Sequence, residues 1–70
     1  MNEYRLPETL RKLMKKKNIT QRNLAMQMNI SPFAVHKWLN FKCMPSVFSV
    51  MEIAKIFNVT IDYLIYGDKK

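Results

Sequence analysis

The sequence predicts an all-α fold, a compact bundle of five short helices. Apolar residues recur at helical spacing in five stretches, and residues suited to helix caps precede most of these stretches. No stretch alternates between apolar and polar residues for long enough to indicate a β-strand. With 70 residues, 49% of them hydrophobic, the chain can build one small core and is too apolar to be disordered. We therefore expect one domain over residues 1–67 and a loose tail over residues 68–70.

The first predicted helix starts near Pro7 and runs to Lys17. Proline suits the first turn of a helix, and lysines in the last turn interact favourably with the negative end of the helix dipole. The inward positions follow helical spacing: Leu6, Leu10, Leu13 and Met14.

Two helices with a very short turn between them are predicted next. Thr20 is suited to cap the first of these two helices, and Asn29 ends it. Ser31 caps the second, with Pro32 at its first position. The expected core positions of the pair are Leu24, Ala25, Met28, Val35, Trp38 and Leu39. Trp38 belongs to this inward stripe, which favours a core role over a stacking platform for a base.

The last two helices follow a loop at residues 40–45 that contains the lone thiol, Cys43. Ser46 is the expected cap of the fourth helix. Thr60 opens a brief fifth helix through Leu64, which Gly67 stops. The fourth helix is expected to direct four side chains into the core: Val47, Val50, Ala54 and Phe57.

The charge of the chain is strongly positive and unevenly distributed. Twelve Lys and Arg residues against five Asp and Glu give +7, with a sequence pI of about 9.9. No acidic residue lies between Thr9 and Met51, whereas basic residues are frequent there: Arg11, Lys12, Lys15, Lys16, Lys17, Arg22, Lys37 and Lys42. Such a segment attracts polyanions, which favours a nucleic-acid partner over the alternative of a merely solvated surface.

Several functional classes lack the residues they need. One His and one Cys cannot assemble a zinc site, and a single Gly excludes glycine-rich phosphate loops. No nucleophile and base, and no pair of carboxylates, lie at a spacing in the sequence that is typical of a catalytic site. We therefore expect a non-enzyme without metal or cofactor. The lone Cys43, the absence of a signal-like start and the lack of a membrane-length apolar run indicate bacterial cytoplasm.

The central pair of helices has the spacing of a DNA-binding helix-turn-helix over about residues 20–40. The small side chain of Ala25 lets two helix axes approach closely. Asn29 tolerates the positive φ that the turn needs. Val35 and Trp38 then direct the third helix back onto the first two.

Residues 19–67 resemble the Cro/lambda-repressor family, also called the XRE-like helix-turn-helix family. The resemblance is strongest at Thr20-Gln21, Leu24-Ala25, Ile30-Ser31, Val35 and Lys37-Trp38, and it continues at Pro45, Ala54, Asn58-Val59 and Leu64. It implies a DNA-binding transcriptional regulator with a lambda-repressor-like fold. The chain departs from the family pattern at four places: Leu39 for a usual Glu, Met14 for the Arg that pairs with it, Phe41 for Gly, and Asn29 for the Gly of the turn. The first two replace an ion pair with an apolar contact, the third leaves the loop conformation open, and the fourth is tolerated.

The resemblance also implies where DNA is contacted. The first turns of the third helix read base edges, which here means Pro32, Phe33, His36 and Lys37. Gln21 contacts phosphate through its backbone N–H and amide, and Asn40 with the backbone after it meets phosphate on the far strand. The residues expected as phosphate contacts are Gln21, Arg22, Asn40 and Lys42.

The chemistry of the four base-reading positions leaves alternatives open. Phe33 either contacts a thymine methyl group or folds over a core neighbour. Lys37 donates to guanine N7 and O6 or pairs with a phosphate. His36 bonds a base edge, pairs with a phosphate or is simply solvated. Pro32 cannot donate, so it shapes the start of the helix and adds van der Waals contact.

The fourth and fifth helices carry more apolar residues than one inward face needs. Phe48, Met51, Ile65 and Tyr66 are surplus, and an exposed apolar patch on a small domain often marks an interface. We expect a two-fold homodimer through these residues. An inverted-repeat operator would fit it, with the reading helices about 34 Å apart.

The sequence thus predicts a sequence-specific, double-stranded DNA-binding transcriptional regulator, most like a phage or bacterial repressor, with no small-molecule effector. One alternative is the antitoxin of a toxin–antitoxin pair, with the Phe48 and Met51 patch holding the toxin. Another is an interaction module that has kept the fold and lost DNA binding. A third is attachment of the basic first helix to a membrane surface, which the caps and core stripes downstream disfavour.

Overall fold

The computed structural model describes residues 3–67, so the expected tail at residues 68–70 lies outside the described part. It contains α1 (Leu6–Lys17), α2 (Gln21–Met28), α3 (Pro32–Leu39), α4 (Val47–Phe57) and α5 (Ile61–Tyr66). Residues 3–67 include no strand, and the predicted all-α, five-helix fold is confirmed. Within the same residues no helix has both the length and the apolar character needed to cross a membrane.

Four helices begin with the predicted side-chain caps. The hydroxyl oxygens of Thr20, Ser31, Ser46 and Thr60 accept the backbone N–H three residues on, at 3.1, 3.3, 3.2 and 3.0 Å. Each such bond satisfies one amide group that the first helical turn leaves without a partner. α1 differs, because Arg5 precedes it without a side-chain cap, and its first turn is marked by Pro7 and Glu8.

Three helices end in the same way, on an asparagine in the left-handed conformation. Asn18, Asn29 and Asn58 have φ values of 59°, 59° and 57°. The next residue, Ile or Val, is half-buried and donates its N–H to the carbonyl five residues back, at 2.8, 3.0 and 3.0 Å. The residue after that is the Thr or Ser cap of the following helix. A triplet of Asn, Ile or Val, and Thr or Ser therefore makes each of these three tight connections.

The core lies where α1 meets α3 and α5, with α2 packed on α3 and α4 packed on α5. The expected core residues of α1 to α3 are buried, including Trp38 at 6% exposure. The expected core side of α4 is wrong at one position, because Val47 is 68% exposed and Ile53 is fully buried. Ile53 completes the i, i+3, i+4, i+7 spacing with Val50, Ala54 and Phe57, whereas Val47 lies in the first turn beside the exposed loop.

α1 packs against α3, and a hydrogen bond joins it to the C-terminal end of that helix. Met14 and Leu39, expected as an apolar pair in place of an ion pair, are both buried in the core cluster. In the hydrogen bond, the Arg11 guanidinium donates to the Leu39 carbonyl oxygen at 3.3 Å. A cation at this carbonyl also interacts favourably with the negative end of the α3 dipole.

The segment before α1 is held against α5. The backbone N–H of Arg5 donates to the Ile65 carbonyl oxygen at 2.6 Å. Tyr4 packs partly buried against the core, and this burial raises the pKa of its phenol, with the nearby Cys43 thiol adding to the rise. Because the raised pKa keeps the phenol neutral well above pH 7, stability near neutral pH does not depend on its titration.

Phe41 occupies the left-handed conformation that the family pattern assigns to glycine. Its φ is 60°, and the Lys42 N–H after it donates to the Lys37 carbonyl oxygen at 2.9 Å. The loop therefore keeps the glycine-type helix ending without a glycine. A residue with a Cβ in this region is strained by about 1–2 kcal/mol.

We expect Phe41→Gly to raise the free energy of unfolding by about 1 kcal/mol, because it relieves this strain and the lost ring is 62% exposed. Urea unfolding followed by circular dichroism measures the change. Phe41→Ala is the matched control, since it removes the same ring and keeps the strained Cβ. Equal stability of the two variants would contradict the strain.

Candidate nucleic-acid interface

The outward face of α3 carries the residues predicted to read bases. Pro32, Phe33 and His36 are exposed and Lys37 is half-buried. Val35 is fully buried beneath them, which fixes the rotation of the helix about its axis. Phe33 is 65% exposed, so its ring does not fold over the core.

Three of these side chains form one cluster, here called the Phe33 cluster (Phe33, His36 and Lys37). The rings of Phe33 and His36 are stacked, with centroids 6.4 Å apart and planes inclined by 13°. The Lys37 Nζ lies over the Phe33 ring, 5.0 Å from its centroid. A cation at this distance from a ring is attracted to it by about 0.5–1 kcal/mol at an exposed site. The helix thus presents a positive charge and an apolar ring in a defined arrangement.

The C-terminal end of α3 uses its own amide groups. The backbone N–H groups of Asn40, Phe41 and Lys42 donate to carbonyl oxygens of α3 at 3.1, 3.5 and 2.9 Å. Because these three donors already have partners within α3, the occupied amides favour side chains over this backbone for the expected phosphate contact, which stays a prediction. The Asn40 side-chain amide donates to the His36 carbonyl oxygen at 2.8 Å and lies 3.3 Å from His36 Nδ1. This end therefore offers a phosphate the exposed Lys42 ammonium, whereas the Asn40 amide must leave its bond to His36 before it can donate to one.

The N-terminal end of α2 carries the other predicted phosphate contacts. Gln21 is half-buried and Arg22 is exposed. Their backbone N–H groups precede the first bond of the helix ladder, in which Leu24 donates to the Thr20 carbonyl oxygen at 2.9 Å. The positive end of the helix dipole and an exposed guanidinium therefore coincide, which suits a phosphate group.

The basic side of α1 adjoins the end of α3. Arg11, Lys12 and Lys15 line an open groove of about 530 Å³ together with Leu39, Asn40 and Phe41. Pro7 and Glu8 complete the lining. The positive charge of α1 is thus continuous with the surface around Asn40. From the sequence alone, these cations could either steer a polyanion toward the protein or be merely solvated.

The predicted dimer residues differ in exposure. Phe48 is 78% and Met51 is 52% exposed, and both line a shallow groove of about 380 Å³ with Glu52 and Lys55. Ile65 and Tyr66 are half-buried, and Ile65 packs against the core. Among the four predicted dimer residues, the exposed apolar surface therefore lies on α4. Val47 is exposed on the same helix, at 68%, and it was missed from the sequence because it was assigned to the core.

Residues 3–67 contain no group of three or more His, Cys, Asp or Glu side chains close enough to hold a metal ion. Cys43 is exposed and unpaired with another cysteine in this range. The functional groups that cluster in the described residues are thus the cationic side chains of α1 and the ring and ammonium groups of the Phe33 cluster.

Known proteins are similar to this chain in sequence and in fold. A family model described as helix-turn-helix matches residues 10–64. The HTH-type transcriptional activator BcrR of Enterococcus faecalis is 42% identical over 62 residues, which are 89% of this chain and 30% of that protein. The chain therefore spans less than a third of the length of this relative.

The structure is similar to that of the P22 c2 repressor protein, solved in complex with synthetic operator 9T in the presence of Tl⁺. The two superpose with a TM-score of 0.83 at 27% identity, over 90% of this chain and 96% of the other. The lambda-repressor-like fold that the sequence predicts is thereby confirmed.

Proposed function

Because this chain belongs to the helix-turn-helix family, in its XRE-like branch, we propose that it is a sequence-specific, double-stranded DNA-binding regulator of transcription. The observation that carries this function is the Phe33 cluster, which α3 directs outward while Val35 and Trp38 anchor the helix from below. The family membership also favours a regulator that performs no catalysis.

In this function α3 lies in the major groove, with Pro32, Phe33, His36 and Lys37 at base edges. Gln21 and Arg22 hold one phosphate stretch from the start of α2, and Asn40 and Lys42 hold another from the end of α3. Contacts to phosphates contribute most of the affinity, so binding weakens as the salt concentration rises. The +7 net charge supports the long-range attraction.

Selection of bound duplexes from a random pool tests the function directly. We expect one short motif to be enriched and the affinity for it to fall steeply between low and physiological salt. Absence of any enriched motif, or retention that does not change with salt, would instead support the interaction module without DNA binding.

Two single substitutions separate base reading from phosphate binding. We expect Lys37→Ala to lower discrimination at one base pair by about 1–3 kcal/mol, whereas Arg22→Ala weakens binding to all sequences alike. Titration of the selected duplex and of its single-base variants with each protein measures both effects. If Lys37→Ala left the preferred sequence unchanged, the face assigned to base reading would be wrong.

The proposed regulator acts as a homodimer on an inverted repeat. The exposure of Phe48 and Met51 supports an interface on α4, with Ile65 and Tyr66 at its half-buried edge. Sedimentation velocity is expected to show a dimer on the duplex, and Phe48→Glu to lower dimer stability because it places a charge in an apolar contact. Monomers alone, both free and on DNA, would exclude the dimer.

The regulator represses by occupying its operator. The structural similarity to a protein named a repressor, over 96% of the solved chain, supports repression over activation. A reporter gene behind the selected motif tests it, and we expect lower expression when the chain is present. Higher expression would instead indicate activation, as in the name of the relative BcrR. Co-purification of a small protein that depends on Phe48 would favour the antitoxin.

A further inference from the structure

We infer that Phe33 and Lys37 act as one recognition unit for a two-base step, a pyrimidine with a C5-methyl group next to a guanine. The inference rests on the proposed function and names the chemistry that this face selects. It goes beyond separate contacts by the two residues, because each depends on the other for its position.

The first step is the direction of the Lys37 side chain. Lys37 stands one turn after Phe33, and its Nζ lies 5.0 Å from the centre of the Phe33 ring. Long side chains on a helix lean toward its N-terminus, and attraction to the ring holds the ammonium there. In a helix-turn-helix the N-terminal residues of this helix meet base edges. The ring contact therefore favours a base over a phosphate as the partner of Lys37.

The second step is what each group can bind. An ammonium only donates hydrogen bonds, and guanine presents two acceptors side by side in the major groove, N7 and O6. The Phe33 ring is 65% exposed beside that charge, so it is open to an apolar group. The apolar group on a base edge in the major groove is the C5-methyl of thymine. A methylated cytosine carries its methyl group on the same ring carbon.

The third step is the spacing. Successive base pairs of a duplex are about 3.4 Å apart along its axis. The 5.0 Å between Nζ and the ring centre exceeds one such step and is less than two of them. Lys37 Nζ and the Phe33 ring are therefore close enough to contact adjacent base pairs at the same time. His36, stacked on Phe33, limits how far the ring can turn away.

Base analogues in the duplex selected from the random pool test the inference. Deoxyuridine in place of one thymidine removes a single methyl group, and we expect about fourfold weaker binding, the equivalent of one buried methyl. At the same position 5-methylcytosine should bind about fourfold better than cytosine. At the adjacent guanine, 7-deazaguanine removes the N7 acceptor, and we expect binding at least about fivefold weaker.

Two variants test the coupling. Phe33→Tyr keeps the ring under the ammonium, so the 7-deazaguanine effect should persist. Phe33→Leu keeps an apolar side chain without a ring face, so most of that effect should be lost. Both changes lie at an exposed position, and an unchanged melting temperature verifies the fold.

The outcomes distinguish the inference from the function on which it rests. A selected motif with no deoxyuridine effect, or Phe33→Leu with the full 7-deazaguanine effect, would overturn the inference and leave the proposed function intact. A pool that yields no motif would overturn both.

Discussion

Trp38→Ala is expected to remove about half of the free energy of unfolding. Trp38 is 6% exposed and lies in the core cluster beneath the Phe33 cluster. Removal of a buried Trp costs about 3–5 kcal/mol through lost burial and the cavity left behind. A domain of this size has a free energy of unfolding of only about 4–10 kcal/mol, so the variant unfolds at a much lower urea concentration.

Urea unfolding followed by circular dichroism measures this loss, and Trp38→Phe is the matched control. The smaller ring fills part of the cavity, so the control should remain folded at a lower midpoint. The opposite pattern, a stable Trp38→Ala protein with greatly reduced DNA affinity, would mean that Trp38 contacts a base and that its core role is wrong.

Ala25→Leu should cost about 2–3 kcal/mol of stability and should weaken DNA binding further than this loss explains. Ala25 is fully buried in α2, which packs on α3, and its carbonyl oxygen accepts the Ile30 N–H at 3.0 Å. A larger side chain forces the two helices apart. That movement separates the start of α2 from the Phe33 cluster, so both cannot fit one duplex well.

The neighbouring Met26→Leu is the control for this variant, because Met26 lies on the same helix and is 72% exposed. It should change neither the unfolding midpoint nor the affinity for the selected duplex. Wild-type affinity in folded Ala25→Leu would show that the relative placement of α2 and α3 does not limit binding.

The parts of the fold that the sequence predicted are those with a local chemical cause. Thr20, Ser31, Ser46 and Thr60 each offer a hydroxyl that satisfies a free amide three residues on, so four helix starts could be assigned from single residues. The start of α1 was less sharp, because Arg5 provides no such bond.

Positions set by tertiary packing were harder to predict. Val47 and Ile53 are both apolar and flank the stripe of Val50, Ala54 and Phe57 on opposite sides, so the neighbours of α4 decided which was buried. Phe41 is similar, since the resemblance marked a glycine position without showing whether a ring would keep the left-handed turn. The bond from Lys42 to the Lys37 carbonyl shows that it does.

The candidate site was predicted as a set of exposed residues and not as a connected group. The exposure of Phe33 follows from the stripe opposite Val35, which is visible in the sequence. Its contacts with His36 and Lys37 have a sequence signal in their i+3 and i+4 spacing. The inward bond of the Asn40 amide had no such signal, because it depends on how the end of α3 closes.

The three triplets that connect the helices have a consequence for how the protein is made. Asn18, Asn29 and Asn58 are exposed, and each begins the sequence Asn-X-Ser/Thr, the acceptor signal for N-linked glycans. Secretion from a eukaryotic host would therefore offer three sugar attachment points at helix ends. A glycan on Asn29 would stand two residues before the Ser31 cap, beside the face proposed to enter the groove. Protein from a bacterial cytosol carries no such sugars and leaves that face open.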